Sequence, residues 1–459
     1  MPKNLWILTE ERPKKAVLSL IIKRFCLDRK LSLKINKLII KPILEKGKFT
    51  FTYELLGIDS EGINKVLIKS VSGSGSFVDF LIFFQENEPT PDDEPLYAIE
   101  ETKTDDSESR NTGVYQRSSK FVYVDLYYPN CQKIMLYNIR VKTGKPTQTS
   151  IFGTRMLLTL GVDIIGKDLD KKVFRKFDSV DELIRFKDNM RGAPKGNVPI
   201  LISKKGDTIE VSGRLWKAGG LSHDPNIGAL SVISKTLREL NWEGKIIITK
   251  HGLSQSQVNK GNKFVKIANE IGIFLYGLTL PKSKLGESYW HYEKNSEKIG
   301  TIFVHLICAE LENIRIIFEN HAGSEKSYFL TRDSSPIYLH KYTENNKAKG
   351  KIPKIPDLII AVDDKKEILN LEGKTSANIE DGLRDIKLYD VIEGEYIKPN
   401  YRDYKISRGI ILFGGHNDKI EHKEVMFLLN SEGEMIISKG TPEVIKRAIK
   451  LALDLNKKQ

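Results

Sequence analysis

The chain has 459 residues, 40% of them hydrophobic and 29% charged, a balance that excludes a disordered or fibrous protein. This length exceeds one ordinary core and predicts two or three domains. The formal net charge of +13 favours a polyanionic partner, because lysine and arginine release counterions when they neutralise phosphates.

The three cysteines, Cys26, Cys131 and Cys308, are widely separated and form no CxxC pair. This argues against a disulfide scaffold or a zinc ribbon and favours a reducing compartment. The first residues lack the apolar core of a signal peptide, and no apolar run approaches the roughly 20 residues of a membrane helix. The sequence therefore predicts a cytoplasmic protein that does not enter a membrane.

Taken in chain order, the first 150 residues predict a helix near Lys15 to Cys26 and then strands, among them FVDFLIFF and KIMLYNIRV. Residues 151–200 have helical periodicity, and residues 200–290 alternate between strands and helices in the manner of an α/β protein. A polar stretch at 280–300 marks the best domain boundary. The predicted domains are therefore residues 1–290 and 291–459.

Beyond this boundary the sequence predicts a strand PDLIIAV, a strand EILNLEGK and a helix from about Asn378 to Tyr389. A last helix begins after Thr441, with Pro442 in its first turn. One strand-turn-strand-helix unit occurs once in each half. The predicted fold class is α/β, with mixed α+β character.

The first of these units carries Asp79 in an apolar strand, followed by a polar loop and the returning strand YAIEETK. Strand alternation places Glu101 and Lys103 on one face. If the two strands pair as a hairpin, Asp79 reaches that face. The sequence thus predicts two carboxylates and an amine around one point.

The second unit repeats this arrangement over a shorter connection. Asp357 opens PDLIIAV, and ILNLEGK brings Glu372 and Lys374 to one face. The Glu-x-Lys triplet alone is a weak signal, since Glu243 to Lys245 and Glu421 to Lys423 match it as well. Neither of those triplets follows an apolar strand that carries an aspartate.

Such groups suit phosphodiester hydrolysis. Two carboxylates supply hard oxygen ligands for Mg²⁺, which neutralises charge on the phosphate and lowers the pKa of a bound water. We predict that Asp79 and Glu101, and again Asp357 and Glu372, hold the metal. The lysine orients the water or stabilises charge.

PDLIIAV…LNLEGK and SFVDFLIFF…YAIEETK resemble the signature of the PD-(D/E)XK nuclease superfamily, in surroundings similar to those of type II restriction endonucleases. The resemblance implies two restriction-endonuclease-like domains, each a central mixed β-sheet flanked by helices. It also implies Mg²⁺-dependent cleavage of double-stranded DNA to 5′-phosphate ends, and a companion DNA methyltransferase. By motif match the catalytic residues are Asp79, Glu101, Lys103, Asp357, Glu372 and Lys374. The first motif has Val78 where the family has proline.

In this family the helix after the lysine strand meets the phosphate backbone. The resemblance therefore offers as DNA contacts the polar residues that follow each lysine, namely Arg110, Asn111, Tyr115, Gln116, Arg117, Ser376 and Asn378. An ordinary solvated helix face explains the same residues equally well.

Two further groups of residues have a functional and a structural interpretation. Glu54 and Glu310 are conceivable as an additional acid, although a surface carboxylate is the simpler reading. Polar loops with His223, Asp224 and His251 suit base contacts in the major groove, but they also serve as plain connections.

The sequence leaves three functions open. The first is a site-specific double-strand endonuclease, monomeric or homodimeric, in which each motif cuts one strand of an asymmetric target. The second is an enzyme with one inactive motif, which nicks or dimerises to cut. The third is a non-catalytic or structure-specific DNA-binding protein with a nuclease fold.

Overall fold

The computed structural model describes most of the chain. The described residues are 3–73, 77–102, 113–137, 146–166, 169–190, 200–213, 216–217, 220–221, 226–260, 263–282, 285–321, 328–338, 354–415 and 421–457.

The strands in chain order are β1 (Lys3–Thr9), β2 (Lys34–Glu45), β3 (Lys48–Asp59), β4 (Ile63–Gly73), β5 (Phe80–Gln85), β6 (Tyr97–Thr102), β7 (Gln132–Tyr137), β8 (Asp163–Ile165), β9 (Leu201–Lys205), β10 (Thr208–Ser212), β11 (Trp216–Lys217), β12 (Gly220–Leu221), β13 (Lys245–Thr249), β14 (Ile273–Leu275), β15 (Trp290–Tyr292), β16 (Ile314–Glu319), β17 (Tyr328–Leu330), β18 (Pro336–Tyr338), β19 (Leu358–Val362), β20 (Glu367–Thr375), β21 (Lys405–Phe413), β22 (Val425–Leu429) and β23 (Met435–Ile437).

The α-helices are α1 (Lys15–Asp28), α2 (Gly113–Tyr127), α3 (Gln148–Thr159), α4 (Val180–Asp188), α5 (Asn226–Glu239), α6 (Gln255–Asn259), α7 (Lys263–Glu270), α8 (Glu297–Cys308), α9 (Ile379–Asp385), α10 (Asp390–Ile392), α11 (Lys398–Asn400) and α12 (Glu443–Lys457). Short 3₁₀ turns at Ser376–Asn378 and Ile386–Leu388 flank α9, and a π-helical turn spans Glu393–Ile397.

The chain divides into two compact units. We call residues 1–6, 11–70 and 292–459 the terminal unit, and residues 7–10 and 71–291 the middle unit. One division between the units falls between His291 and Tyr292, and residues 11–70 belong to the terminal unit. Lys15, for example, forms an ion pair with Glu310 at 2.8 Å. This grouping differs from the predicted N-terminal domain because such long-range contacts leave no local signal in the sequence.

The middle unit contains the strand series β5-β6-β7-β8. β5 and β6 pair antiparallel, whereas β6 and β7, and then β7 and β8, pair parallel. The β6 to β7 connection contains α2 and the β7 to β8 connection contains α3, as parallel pairing requires a crossover. A second sheet in this unit has the order β14-β13-β10-β9.

The terminal unit contains a sheet with the order β16-β19-β20-β21-β22-β23. Here β19 and β20 pair antiparallel, and β20 with β21 and β21 with β22 pair parallel. The series β19-β20-β21-β22 thus repeats the strand order and directions of β5-β6-β7-β8. β19 and β22 are buried along their whole length, which explains their continuous apolar runs.

The predicted fold class is confirmed, because the chain forms a mixed α/β structure whose mixed sheets are flanked by helices. Within the described residues, each helix is either too short or too polar to cross a membrane.

Candidate active site

The first candidate centre lies in the middle unit, where the beginning of β5 lies beside the end of β6. Phe80 lies opposite Ile99 in this antiparallel pair, so the next opposed residues are Asp79 and Glu100. Directly opposed side chains share one face of the sheet. The Glu101 N–H donates to the Asp79 carboxylate at 2.6 Å, and the Asp79 N–H donates to the Glu100 carboxylate at 3.3 Å. The two acids are therefore held together.

This register corrects the predicted pairing of Asp79 with Glu101. Since Glu100 faces Asp79, strand alternation directs the Glu101 side chain to the opposite face. The prediction was wrong by one residue because the register across the loop between β5 and β6 cannot be counted from the sequence, and a slip of one residue exchanges the two faces. Lys103, the predicted amine, lies outside the described residues.

The amine in this centre comes from α2. Lys120 Nζ is 2.7 Å from the Glu100 carboxylate and 3.6 Å from that of Asp79. Arg117 lies on the same helix face, three residues earlier. Its guanidinium donates to the Thr102 hydroxyl, and its Nε is 4.0 Å from the Glu100 carboxylate.

Burial dominates the electrostatics of the first centre. Glu100 is 2% exposed, and burial together with the charge of Asp79 raises its pKa to about 8, against the opposing effects of Lys120 and Arg117. Burial alone would lower the pKa of Lys120, but the Glu100 and Asp79 carboxylates raise it above its ordinary value. The centre therefore holds a charged amine beside two acids whose negative charges would repel each other if both were ionised.

The second candidate centre lies in the terminal unit, between β19 and β20. Leu358 pairs with Leu371, so the next opposed residues are Asp357 and Glu372. The Gly373 N–H donates to the Asp357 carboxylate at 2.8 Å, just as the Glu101 N–H does to Asp79. Lys374 Nζ is 2.6 Å from the Glu372 carboxylate. The structure thus brings together the three residues that the sequence predicts here.

Further charged and polar groups surround Glu372, which is 2% exposed. The Tyr389 hydroxyl donates to one of its oxygens, and Lys354 Nζ lies 3.2 Å from the other. Asp385 then joins the two lysines, at 2.8 Å from Lys354 and 3.2 Å from Lys374. Lys354, Asp385 and Tyr389 carry no spacing signature, so their roles here could not be predicted from the sequence.

In the second centre the pKa of Asp357 is raised. Burial and the neighbouring Glu372 charge raise its pKa to about 7, although the Gly373 N–H and Lys374 act in the opposite direction. Glu297, in the first turn of α8, adds negative charge at the same point. The sequence did not indicate Glu297 as an additional acid.

Gly373 is required by the packing of α8 against this centre. A Cβ at this position would lie 2.6 Å from the Thr301 methyl carbon and 3.2 Å from an Asp357 oxygen. The contact with Thr301 is closer than Cβ atoms allow, so a larger residue would force a shift of the Thr301 side chain or of α8.

Both centres fit a divalent cation. Each contains a buried glutamate and a partly buried aspartate on facing strands, and in each one acid has its pKa raised partly by the charge of the other. A bound cation removes this repulsion, and carboxylate oxygens are the ligands that Mg²⁺ prefers. The pairs that would hold it are Asp79 with Glu100, and Asp357 with Glu372.

The predicted DNA contacts are only partly described. Arg110 and Asn111 lie outside the described residues, as do the side chains of Tyr115 and Gln116. Arg117 lies within the first centre through its bond to Thr102. Ser376 and Asn378 form the turn after β20, with Asn378 exposed.

Glu54 and Glu310 have structural partners. Glu54 forms a buried ion pair with Lys41 at 2.9 Å. Glu310 pairs with Lys15 and accepts the N–H of Ile40 at 3.0 Å. These contacts explain both carboxylates without a catalytic role.

Of the loop residues suggested for base contacts, His223 and Asp224 lie outside the described residues. His251 is buried, with Nε2 at 2.9 Å from the Tyr276 carbonyl and Nδ1 accepting the Leu253 N–H at 3.0 Å. Both ring nitrogens therefore hold the loop together.

Comparison with known proteins returns no relative. No family model matches the chain, and neither the curated proteins nor the solved structures include a significant match.

Proposed function

We propose that this chain is a Mg²⁺-dependent DNA endonuclease of the restriction type, with one cleavage centre in each unit. The proposal rests on one observation. In both units an aspartate and a glutamate oppose each other on antiparallel strands, and a lysine amine lies within 2.7 Å of the glutamate.

The backbone contributes to this arrangement as well. In each centre the N–H of the residue after the glutamate fixes one aspartate oxygen, at 2.6 Å for Asp79 and 2.8 Å for Asp357. An acid fixed in this way is preorganised, so little reorganisation is needed when a substrate phosphate arrives. The same construction in two separate strand series is difficult to attribute to ordinary surface charge.

When bound, Mg²⁺ would neutralise phosphate charge and lower the pKa of a coordinated water. Asp79 with Glu100, and Asp357 with Glu372, would hold the ion. Lys120 and Lys374 orient the attacking water toward phosphorus and stabilise the charge that develops there. The net charge of +13 favours DNA association by counterion release.

Two centres suit the cutting of two strands, one by each unit. Double-stranded DNA with an asymmetric target, a cytoplasmic location and a companion methyltransferase follow from the resemblance to restriction endonucleases. The alternative of one inactive centre is favoured by a specific difference, namely that the amine comes from a strand in the terminal unit and from a helix in the middle unit.

Plasmid cleavage tests the proposal. Supercoiled plasmid that carries the target, incubated with protein and Mg²⁺, is expected to yield discrete linear fragments. Lys120→Gln and Lys374→Gln are each expected to yield nicked circles, because each removes one amine and leaves the other centre intact. The exposed Lys204→Gln serves as the matched control and is expected to cut like the wild type.

Three results would contradict the proposal. Cleavage that survives EDTA would exclude the metal mechanism. Full double-strand cleavage by either lysine variant would exclude one centre per strand. A protein that binds plasmid without cutting it, with a range of targets supplied, would favour the non-catalytic reading.

A further inference from the structure

A second cluster of ligand-type side chains lies in the terminal unit, apart from the two acid centres. It consists of His305 on α8, Glu319 at the end of β16, and His321 just beyond it. Both histidines are buried, at 3% and 8% exposure. The sequence analysis did not single out any of the three.

Three atoms of this cluster converge on one point. His305 Nδ1 is 2.9 Å from His321 Nε2 and 3.4 Å from a Glu319 carboxylate oxygen, which is itself 3.9 Å from His321 Nε2. Points with these separations lie on a circle of radius about 2.0 Å, whose centre falls inside their triangle. That radius matches the roughly 2.0–2.2 Å of zinc bonds to imidazole nitrogen and carboxylate oxygen.

We propose that His305, Glu319 and His321 form a binding site for a first-row transition-metal dication such as Zn²⁺ or Co²⁺. Two imidazoles and one carboxylate favour these ions over Mg²⁺, which prefers oxygen ligands. The site is separate from the acid pairs and does not depend on the proposed nuclease activity.

The protonation of the cluster suits this role. At 2.9 Å one ring now donates a hydrogen bond to the other. Cation binding needs a lone pair on both facing nitrogens, so the shared proton moves to the other nitrogen of its ring, without a change of charge. Burial lowers the pKa of His305, and lowers that of His321 to about 4, so both rings are neutral near pH 7 and need not be deprotonated.

Arg12 is the outer partner of the site. Its guanidinium donates to both Glu319 oxygens, with Nη2 at 2.7 Å from one of them. Hydrogen bonds of this kind orient ligating carboxylates in metalloproteins. The positive charge of Arg12 also opposes a dication, so we expect weaker binding than at a structural zinc site with cysteine ligands.

The site would connect α8 to β16 beside the second centre. Between the ligands Glu319 and His321, the Asn320 N–H donates to the Asp357 main-chain carbonyl at 2.8 Å. A bound cation therefore restrains the strand end that lies against Asp357, and the terminal unit should melt at a higher temperature when Zn²⁺ is bound.

Metal titration of the full chain tests this site. Zn²⁺ and Co²⁺ are titrated by calorimetry, and Co²⁺ also by visible absorption, in excess Mg²⁺, which competes for sites that prefer oxygen ligands. We expect one equivalent to bind, with affinity at least a hundredfold lower in His305→Ala and His321→Ala. His291→Ala, at an exposed histidine of the middle unit, and Asp357→Asn are the matched controls and should bind like the wild type.

Several results would overturn the site. These are no binding to the wild type, equal binding to His321→Ala, or binding that is lost in Asp357→Asn but not in the histidine variants. If the histidine variants do not fold, X-ray absorption of the zinc-loaded wild type decides. Scattering from two imidazoles supports the site, and its absence refutes it.

Discussion

Glu100 offers the sharpest test of the first centre, because it is a buried acid with a raised pKa. A carboxyl with a raised pKa in the folded state keeps its proton when the unfolded chain has lost it. Stability is therefore lost as the pH rises from about 4.5 to about 8, and the loss is complete above that range. Glu100→Gln removes the ionisable group and should stabilise the protein at pH 9, but not at pH 4.

The size of the effect follows from the pKa. The rise from the ordinary value of 4.5 to about 8 corresponds to roughly 5 kcal/mol of unfolding free energy, as an upper limit. The new amide loses part of this, since it pairs less well with Lys120. We expect about 2 kcal/mol to remain, which raises the melting temperature of a unit of this size by about 4–8 °C.

Scanning calorimetry at pH 4 and pH 9 measures this shift, and plasmid nicking measures cleavage. Glu100→Gln should be more stable at pH 9 and should cut one strand only. Glu210→Gln, at an exposed ion pair with Lys205, is the control and should change neither property. A Glu100→Gln protein that melts below the wild type at pH 9 would refute the reasoning, since the carboxyl would then be stabilising.

Three further predictions follow from the same geometry. Lys120→Gln should slow cleavage of one strand by about 10²–10³-fold, because it removes the amine beside Glu100. Single-strand nicking rates measure this, and an unchanged rate in Lys120→Gln together with a reduced rate in Lys103→Ala would restore Lys103 as the amine of this centre. At limiting Mg²⁺, the rate of cleavage by the second centre should rise about tenfold per pH unit up to pH 7 and then level off, because metal binding needs ionised Asp357. A flat pH–rate profile would contradict the raised pKa of Asp357. Lys41→Met should lower the free energy of unfolding in urea by about 3–5 kcal/mol, because it leaves Glu54 buried without its lysine. The folded variant should still cut plasmid, and loss of cleavage would instead support Glu54 as an additional acid.

The two centres differ in how far the sequence could predict them. In the second centre the turn between β19 and β20 is short, so Asp357, Glu372 and Lys374 could be placed on one face from the sequence. In the first centre a long loop separates β5 and β6, so the residue facing Asp79 was predicted as Glu101 instead of Glu100. Strand alternation fixes relative faces within one strand, but only the pairing register fixes them between strands.

Residues that arrive from helices were beyond reach for a different reason. Lys120 and Asp385 approach the acids because their helices pack on the sheet, and this packing depends on contacts distant in sequence. The same holds for the His305 and His321 pair, which are 16 residues apart and separated by a helix end and a strand. The fold class was predictable because hydrophobic periodicity is local, whereas these convergences are not.

The two centres differ in the position of the amine along the chain. Lys374 stands two residues after its glutamate, but Lys120 stands twenty residues after its own. Each centre requires the ammonium group at one position in space. The lysine that supplies it can stand at different positions in the sequence while the arrangement of the charged groups is kept. A search for the Glu-x-Lys triplet finds the acid and the amine of the second centre, but in the first centre it selects Glu101 and Lys103 instead of Glu100 and Lys120. Such a centre is therefore recognised more reliably from its geometry than from the triplet.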